Sequence, residues 1–154
     1  MTSSPETFAG FWRRFAASLI DILLIILITF PILIGIYGMS IFDYDKAGLV
    51  AGPADFFVSY VLPAVGTIWF WIRYRATPGK LAMRVYVVDA GTGNSITLRQ
   101  SLIRYLGYFV SLIPLGLGYL WVAFDPRKQG WHDKMAGTVV VARSSSDAAP
   151  ASEA

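Results

Sequence analysis

The chain has 154 residues, sets 13 lysines and arginines against 10 acids for a net charge of +3, and is 55% hydrophobic with a mean hydropathy of +0.54. A soluble core of this size does not need long uncharged runs, so these values place the chain among integral membrane proteins. The absence of cysteine excludes a disulfide framework and thiolate chemistry, and a single histidine excludes a multi-histidine metal cluster within one chain.

Residues 1–11 read as a short polar lead-in. The first span is predicted over Phe15–Tyr37, long enough to cross ~30 Å of hydrocarbon, with Pro31 expected to kink it. Arg13-Arg14 before an apolar run resembles a twin-arginine signal. The run is too long for a signal peptide, contains Asp21 and precedes no A-x-A site, so it reads as an uncleaved span. Asp21 is the one charge inside this run. A carboxylate there costs roughly 2.5–3.5 kcal/mol and is retained only where it faces protein, water or a partner charge. Arg14 stands two helical turns earlier, about 10.5 Å along the axis, which puts both residues on one face. Two readings of the pair stand side by side. One is a gated proton or ion site, with a partly desolvated carboxylate of tunable proton affinity; the other is a structural pair holding the span against other segments or a second protomer. At the helix start, Arg14 also suits snorkelling to anionic headgroups.

Residues 38–55 form an acidic loop with Asp43, Asp45 and Asp55 against Lys46, and the second span follows over Phe56–Tyr74 with Pro63 and Gly66 near its middle. Residues 73–104 then carry Arg73, Arg75, Lys80, Arg84, Arg99 and Arg104 against Asp89. By the positive-inside rule this segment and the N-terminus are cytoplasmic and the acidic loop is outside. Lys80, Arg84, Arg99 and Arg104 read as a basic face contacting anionic lipid, and nucleic acid is not expected as a partner. Thr77-Pro78-Gly79-Lys80 lacks the upstream glycine and the following Ser or Thr of a phosphate loop, so it reads as a turn leaving the second span.

Met83–Asp89 has strand composition, Ala90–Asn94 is a turn signal, and Ser95-Ile96-Thr97-Leu98 is expected to return as a second strand. Such a hairpin needs a third strand, for which Thr138–Val141 is the candidate. The third apolar run, Leu102–Phe124, is interrupted by Pro114, Gly116 and Gly118. A re-entrant pair of half-helices is favoured over a full crossing, because residues 125–143 are also basic and their strand must meet the cytoplasmic hairpin. Tyr105, Tyr108 and Phe109, at helical spacing, read as membrane-packing surface. His132-Asp133 reads either as a proton relay to the membrane carboxylate or, for Asp133, as the cap of a short helix from Lys134 onward. Residues 144–154 are expected to be disordered. The fold class is therefore all-α integral membrane: two full transmembrane helices plus a broken or re-entrant third membrane segment, with a small cytoplasmic β-hairpin element, in one membrane domain over residues 12–143.

Four stretches also carry a family likeness. Ala9-Gly10-Phe11-Trp12-Arg13-Arg14 leads into Ala17-Ser18-Leu19-Ile20-Asp21, and Thr77-Pro78-Gly79-Lys80 runs into Arg84-Val85-Tyr86-Val87-Val88-Asp89. Arg104 follows in the next amphipathic stretch, and Trp131-His132-Asp133-Lys134-Met135-Ala136-Gly137-Thr138-Val139-Val140-Val141 closes the domain. In this order, over about residues 8–142, the chain resembles the RDD family of bacterial membrane proteins, with Ala82 where the family pattern often has glycine. The resemblance implies a bacterial membrane protein, and the expected location is the inner membrane, multi-pass, with the N-terminus cytoplasmic by the charge pattern. The resemblance also implies a site of one arginine and two aspartates. Arg14 and Asp21 match the first two, and Asp133 is chosen for the second aspartate with Asp125 as the alternative. The family's function is poorly defined; transport has been suggested, and cation/proton exchange is associated with some members.

Two functions from different classes follow. One is a transporter or ion-conducting subunit, proton-coupled through Asp21. The other is a non-transport scaffold or assembly factor in which the Arg/Asp residues are structural. Two or three spans do not enclose a solute path, so transport requires a homo-oligomer or a membrane partner. The expected partners are the lipid bilayer and a small cation or proton, with no cofactor and no metal. Ser18 and Ser111 lie in apolar runs without a neighbouring histidine, so enzyme activity is not expected.

Overall fold

Two apolar rods and a small sheet at one end of them organise the chain. The computed structural model describes residues 7–42 and 52–143. Most of the expected acidic loop and the tail 144–154 lie outside the described residues. Helix α1 (Phe11–Tyr37) continues through a 3₁₀ turn, Gly38–Phe42, as an apolar segment long enough to cross a membrane. Ile22, Leu23, Ile26, Leu27 and Ile28 all point outward, as a lipid-facing helix requires. Pro31 does not end the helix, although it cannot donate to the preceding turn. The second rod, Pro53–Tyr74, also has spanning length. It consists of α2 (Pro53–Phe56), a π-helical stretch Phe57–Val61 and α3 (Leu62–Tyr74). The wide turn ends two residues before Pro63, whose ring clashes with the carbonyl four residues back, so local widening relieves that clash.

The short helix α4 (Pro78–Ala82) packs across α1 and hands the chain to strand β2 (Val85–Asp89). Helices α5 (Leu98–Leu112) and α6 (Leu117–Phe124) are bent by 100° about Pro114-Leu115-Gly116, so the third apolar run is broken as expected. Leu115 and Gly116 both take left-handed φ, of 54° and 79°, which makes the reversal tight. Helix α5 is turned inside out relative to a soluble helix: Ser101, Arg104, Gly107 and Ser111 face inward while Leu102, Leu106, Phe109 and Leu112 face outward. Tyr105 and Tyr108, expected on membrane-packing surface, instead pack against the core.

The β element differs from the predicted hairpin. Strands β1 (Thr7–Phe8), β2 and β3 (Thr138–Ala142) form one antiparallel sheet in the order β1-β3-β2. Val85 pairs with Ala142 and Asp89 with Thr138, so β2 does find the expected distant partner. Ser95–Leu98 is not a strand. Thr97 caps α5: its hydroxyl accepts from the Gln100 N–H at 3.2 Å, and its own N–H donates to the Gln100 side chain at 2.9 Å. That reciprocal box outcompetes a second strand. Residues 7–9 pack with the sheet: Thr7 and Phe8 pair with β3, and Ala9 is fully buried. All of β3 is buried, with Val140 and Ala142 in one apolar cluster and Val139 and Val141 in another on the opposite face.

Candidate functional site

The sequence order Trp131-His132-Asp133 places two polar residues early in a short helix, α7 (Trp131–Ala136), which lies against α5. Close approach requires Gly107, because a Cβ there would sit 2.8 Å from the His132 Cα. Asp133 is fully buried, with both carboxylate oxygens engaged. Oδ2 accepts from Arg14 Nη2 at 2.5 Å and from the Gly130 N–H at 2.9 Å. Oδ1 accepts from Arg104 Nη1, which also donates to the Thr138 hydroxyl at 2.7 Å. One carboxylate thus joins α1, α5 and α7, with β3 attached through Thr138. It caps α7 from within the first turn by reaching back to Gly130, rather than starting a helix at Lys134.

Burial alone would raise the Asp133 carboxyl, but the adjoining Arg104 and Arg14 guanidinium groups outweigh it and hold the group well below the usual carboxylate range. His132 is packed between Tyr108 and Tyr119, with ring centroids at 4.6 and 5.1 Å. Burial pushes its pKa well below the ordinary histidine value, against the pull of Asp133. Its Nε2 lies 3.2 Å from Arg14 Nη2 and its Nδ1 lies 3.2 Å from Ser111 Oγ. A guanidinium only donates, so Nε2 accepts and the ring proton sits on Nδ1. The fold does bring Ser111 to the histidine, a meeting not visible in sequence, but this tautomer offers Ser111 no basic lone pair.

Asp21 is not part of this junction. It is partly buried two turns further along α1, where Oδ2 accepts from the Thr77 hydroxyl at 2.5 Å and Oδ1 from the Gly79 N–H at 2.7 Å. It thereby serves the start of α4, and Thr77-Pro78-Gly79-Lys80 is a helix start rather than a plain turn. A Cβ on Gly79 would fall 2.1 Å from the Ala17 carbonyl oxygen, so only glycine allows this contact. Asp125, the alternative second aspartate, pairs with Lys134 at 2.5 Å and accepts from the Arg127 and Gln129 N–H groups. Burial raises its carboxyl, and the hydrogen bond from Lys134 together with these amides lowers it further than burial lifts it.

The proposed lipid-contacting residues divide. Arg84 and Arg99 are exposed, as headgroup contact requires. Lys80 is only 5% exposed and Arg104 is fully buried, so neither can meet a headgroup on the protein surface. Arg104 instead stacks near Trp71 and Tyr108, 5.2 and 5.9 Å from their ring centroids. Its signal in the sequence was the inward row Ser101, Arg104, Gly107, Ser111 at helical spacing. Among the described residues no three His, Asp or Glu side chains gather as a metal site.

Residues 8–137 match the model of the RDD family. An uncharacterized protein of Rickettsia prowazekii is 39% identical over 74 residues, 48% of this chain and 40% of the relative. The uncharacterized membrane protein YteJ of Bacillus subtilis is 29% identical over 138 residues, covering 88% of this chain and 82% of its own. A proline-rich antigen of Mycobacterium leprae is 28% identical over 92 residues, 57% and 37% of the two chains. No solved structure matches the chain.

Proposed function

This chain belongs to the RDD family, and from that premise we propose that it is a membrane scaffold or assembly module of the bacterial inner membrane in which Arg14, Asp21 and Asp133 are structural. The observation that supports this reading is the Asp133 junction: a buried carboxylate with both oxygens committed to arginines from two different helices. A group so neutralised stays ionised and exchanges neither its proton nor its partners readily. The outward apolar faces of α1 and α5 then serve a second copy or a membrane partner.

A second reading, proton-coupled cation exchange, is favoured by one observation at Asp21. Its partners among the described residues are neutral donors, a hydroxyl and an amide, so this carboxylate in a spanning helix is not matched by a cation there as Asp133 is. Under that reading Asp21 is the group that handles the ion, in an oligomer that encloses the path.

Both readings share one topology. The sheet takes strands from before α1, from after α3 and from after α6. One sheet lies on one side of a bilayer, and the two long rods account for an out-and-back passage. The α5–α6 pair therefore re-enters, and the exposed Arg13, Arg84, Arg99 and Arg143 around the sheet favour the cytoplasmic side.

Flux of cations and protons in proteoliposomes, for wild type beside Asp21→Asn, separates the readings. The scaffold reading expects no flux in either and lower abundance or oligomer stability in the variant. Wild-type flux that a stably folded Asp21→Asn protein has lost overturns it in favour of exchange.

A further inference from the structure

Arg104 uses one of its three nitrogens. Nη1 meets Asp133 and Thr138, whereas Nε and Nη2 have no hydrogen-bond partner among the described residues, although the side chain is fully buried. Those two nitrogens form the side-on edge of the guanidinium, whose paired N–H groups match two oxygens of a phosphate or carboxylate. The indole N–H of Trp71 is also buried and has no partner among the described residues, and its ring centroid lies 5.2 Å from the same guanidinium carbon. The guanidinium carbon lies over both aromatic rings, 5.2 Å from the Trp71 centroid and 5.9 Å from that of Tyr108. Buried donors normally find acceptors, so three orphans at one α3–α5 junction indicate that an acceptor belongs there.

The local charge gives that acceptor its sign. Arg14, Lys80 and Arg104 are all buried, and Asp133 is the one carboxylate among the described residues that pairs with the two arginines. Lys80 is buried on α4, and its charge bears on Tyr108 and, more weakly, on His132. The junction therefore carries more positive than negative charge in a region that water does not screen.

We propose that Arg104, Trp71 and Lys80 form a binding site for an oxyanion of the phosphate class. Arg104 grips two oxygens through Nε and Nη2, the Trp71 indole donates to a third, and Lys80 supplies the balancing charge. The phosphate is either free or carried on a lipid headgroup that enters between α3 and α5. This site is separate from the Asp133 pairing and stands whether the chain is a scaffold or an exchanger.

The test uses the full chain purified in detergent, with inorganic phosphate titrated against chloride at matched ionic strength and thermal unfolding as the readout. A parallel arm compares nanodiscs of phosphatidylglycerol with nanodiscs of phosphatidylcholine. Phosphate is expected to raise the unfolding midpoint saturably. Trp71→Phe, which keeps an aromatic ring and removes the N–H with the pyrrole part of the indole, is expected to weaken the apparent affinity about tenfold, the effect of one lost hydrogen bond to a charged group. Lys80→Met is expected to weaken it as well. Stabilisation by phosphatidylglycerol but not by free phosphate, lost in the same variants, assigns the site to a headgroup. No stabilisation by either source, or equal stabilisation of wild type and both variants, overturns the proposal.

Discussion

Asp133 shows what a single buried charge does when the chain encloses it with two cations. Removing the carboxylate leaves Arg14 and Arg104 buried without their counter-ion, so Asp133→Asn is expected to cost about 3–5 kcal/mol in unfolding free energy, measurable by denaturant titration in detergent. Acid should act on the same place. The folded-state values of His132 and Asp133 both lie below their ordinary ones, so the unfolded chain binds protons first and stability falls as pH falls. The loss begins below the usual histidine value near 6.5 as His132 is asked to charge, and deepens below about 4 as Asp133 is asked to protonate. A series of thermal midpoints against pH checks this, and His132→Gln should remove the upper part of the slope. At this scale the sequence was half legible. Arg14, His132 and Asp133 were marked by their motifs and do meet, at 2.5 and 3.2 Å. Asp21 was paired with Arg14 because they share a helix face, but two turns of axial distance let each find a different neighbour. Arg104 and Lys80 read as surface in the sequence because basic residues beside a membrane usually are, yet both are buried, and the inward spacing on α5 is the one local sign of it for Arg104.

The elements are placed by small residues as much as by apolar ones. Gly79 sets the separation of α1 and α4, and Gly79→Ala drives a methyl group into the Ala17 carbonyl. We expect that variant to lose the Asp21 contacts and to show lower thermal stability and abundance. Gly66→Ala, in a helix where an added Cβ meets nothing, should be neutral or stabilising by roughly 0.5–1 kcal/mol. Comparing the two unfolding midpoints separates a packing demand from helix propensity. The spans, the broken third run and the remote third strand were readable because long apolar runs, Pro-Leu-Gly and a Val-Val-Val strand are local signals. The hairpin was misjudged because Ser95–Leu98 carries two signals at once. Its Ile96 and Thr97 suit a strand, but Thr97 with Gln100 three residues on is a capping box, and a helix start needs no partner from elsewhere. The two-residue β1 was too short to leave any periodicity.

At the scale of the whole molecule, the sheet makes the topology testable. Single cysteines placed in this cysteine-free chain at Gly93, Pro126 and Ser40 should label in two groups with an impermeant thiol reagent. Gly93→Cys and Pro126→Cys are expected to react from one side and Ser40→Cys from the other; joint labelling of positions 126 and 40 would mean that α5–α6 crosses. The strand order has a further consequence for biosynthesis. The middle strand of β1-β3-β2 is the last to be made. The two rods can enter the bilayer while the ribosome is still translating, yet strands β1 and β2 then have nothing between them, and Arg14 and Arg104 wait for a carboxylate not yet synthesised. Insertion and closure are thus separate events, and the second depends on the final twenty or so residues of the described chain. A nascent chain halted before Asp133 would sit in the membrane correctly threaded but unlatched, with two arginines as the mark of its incompleteness.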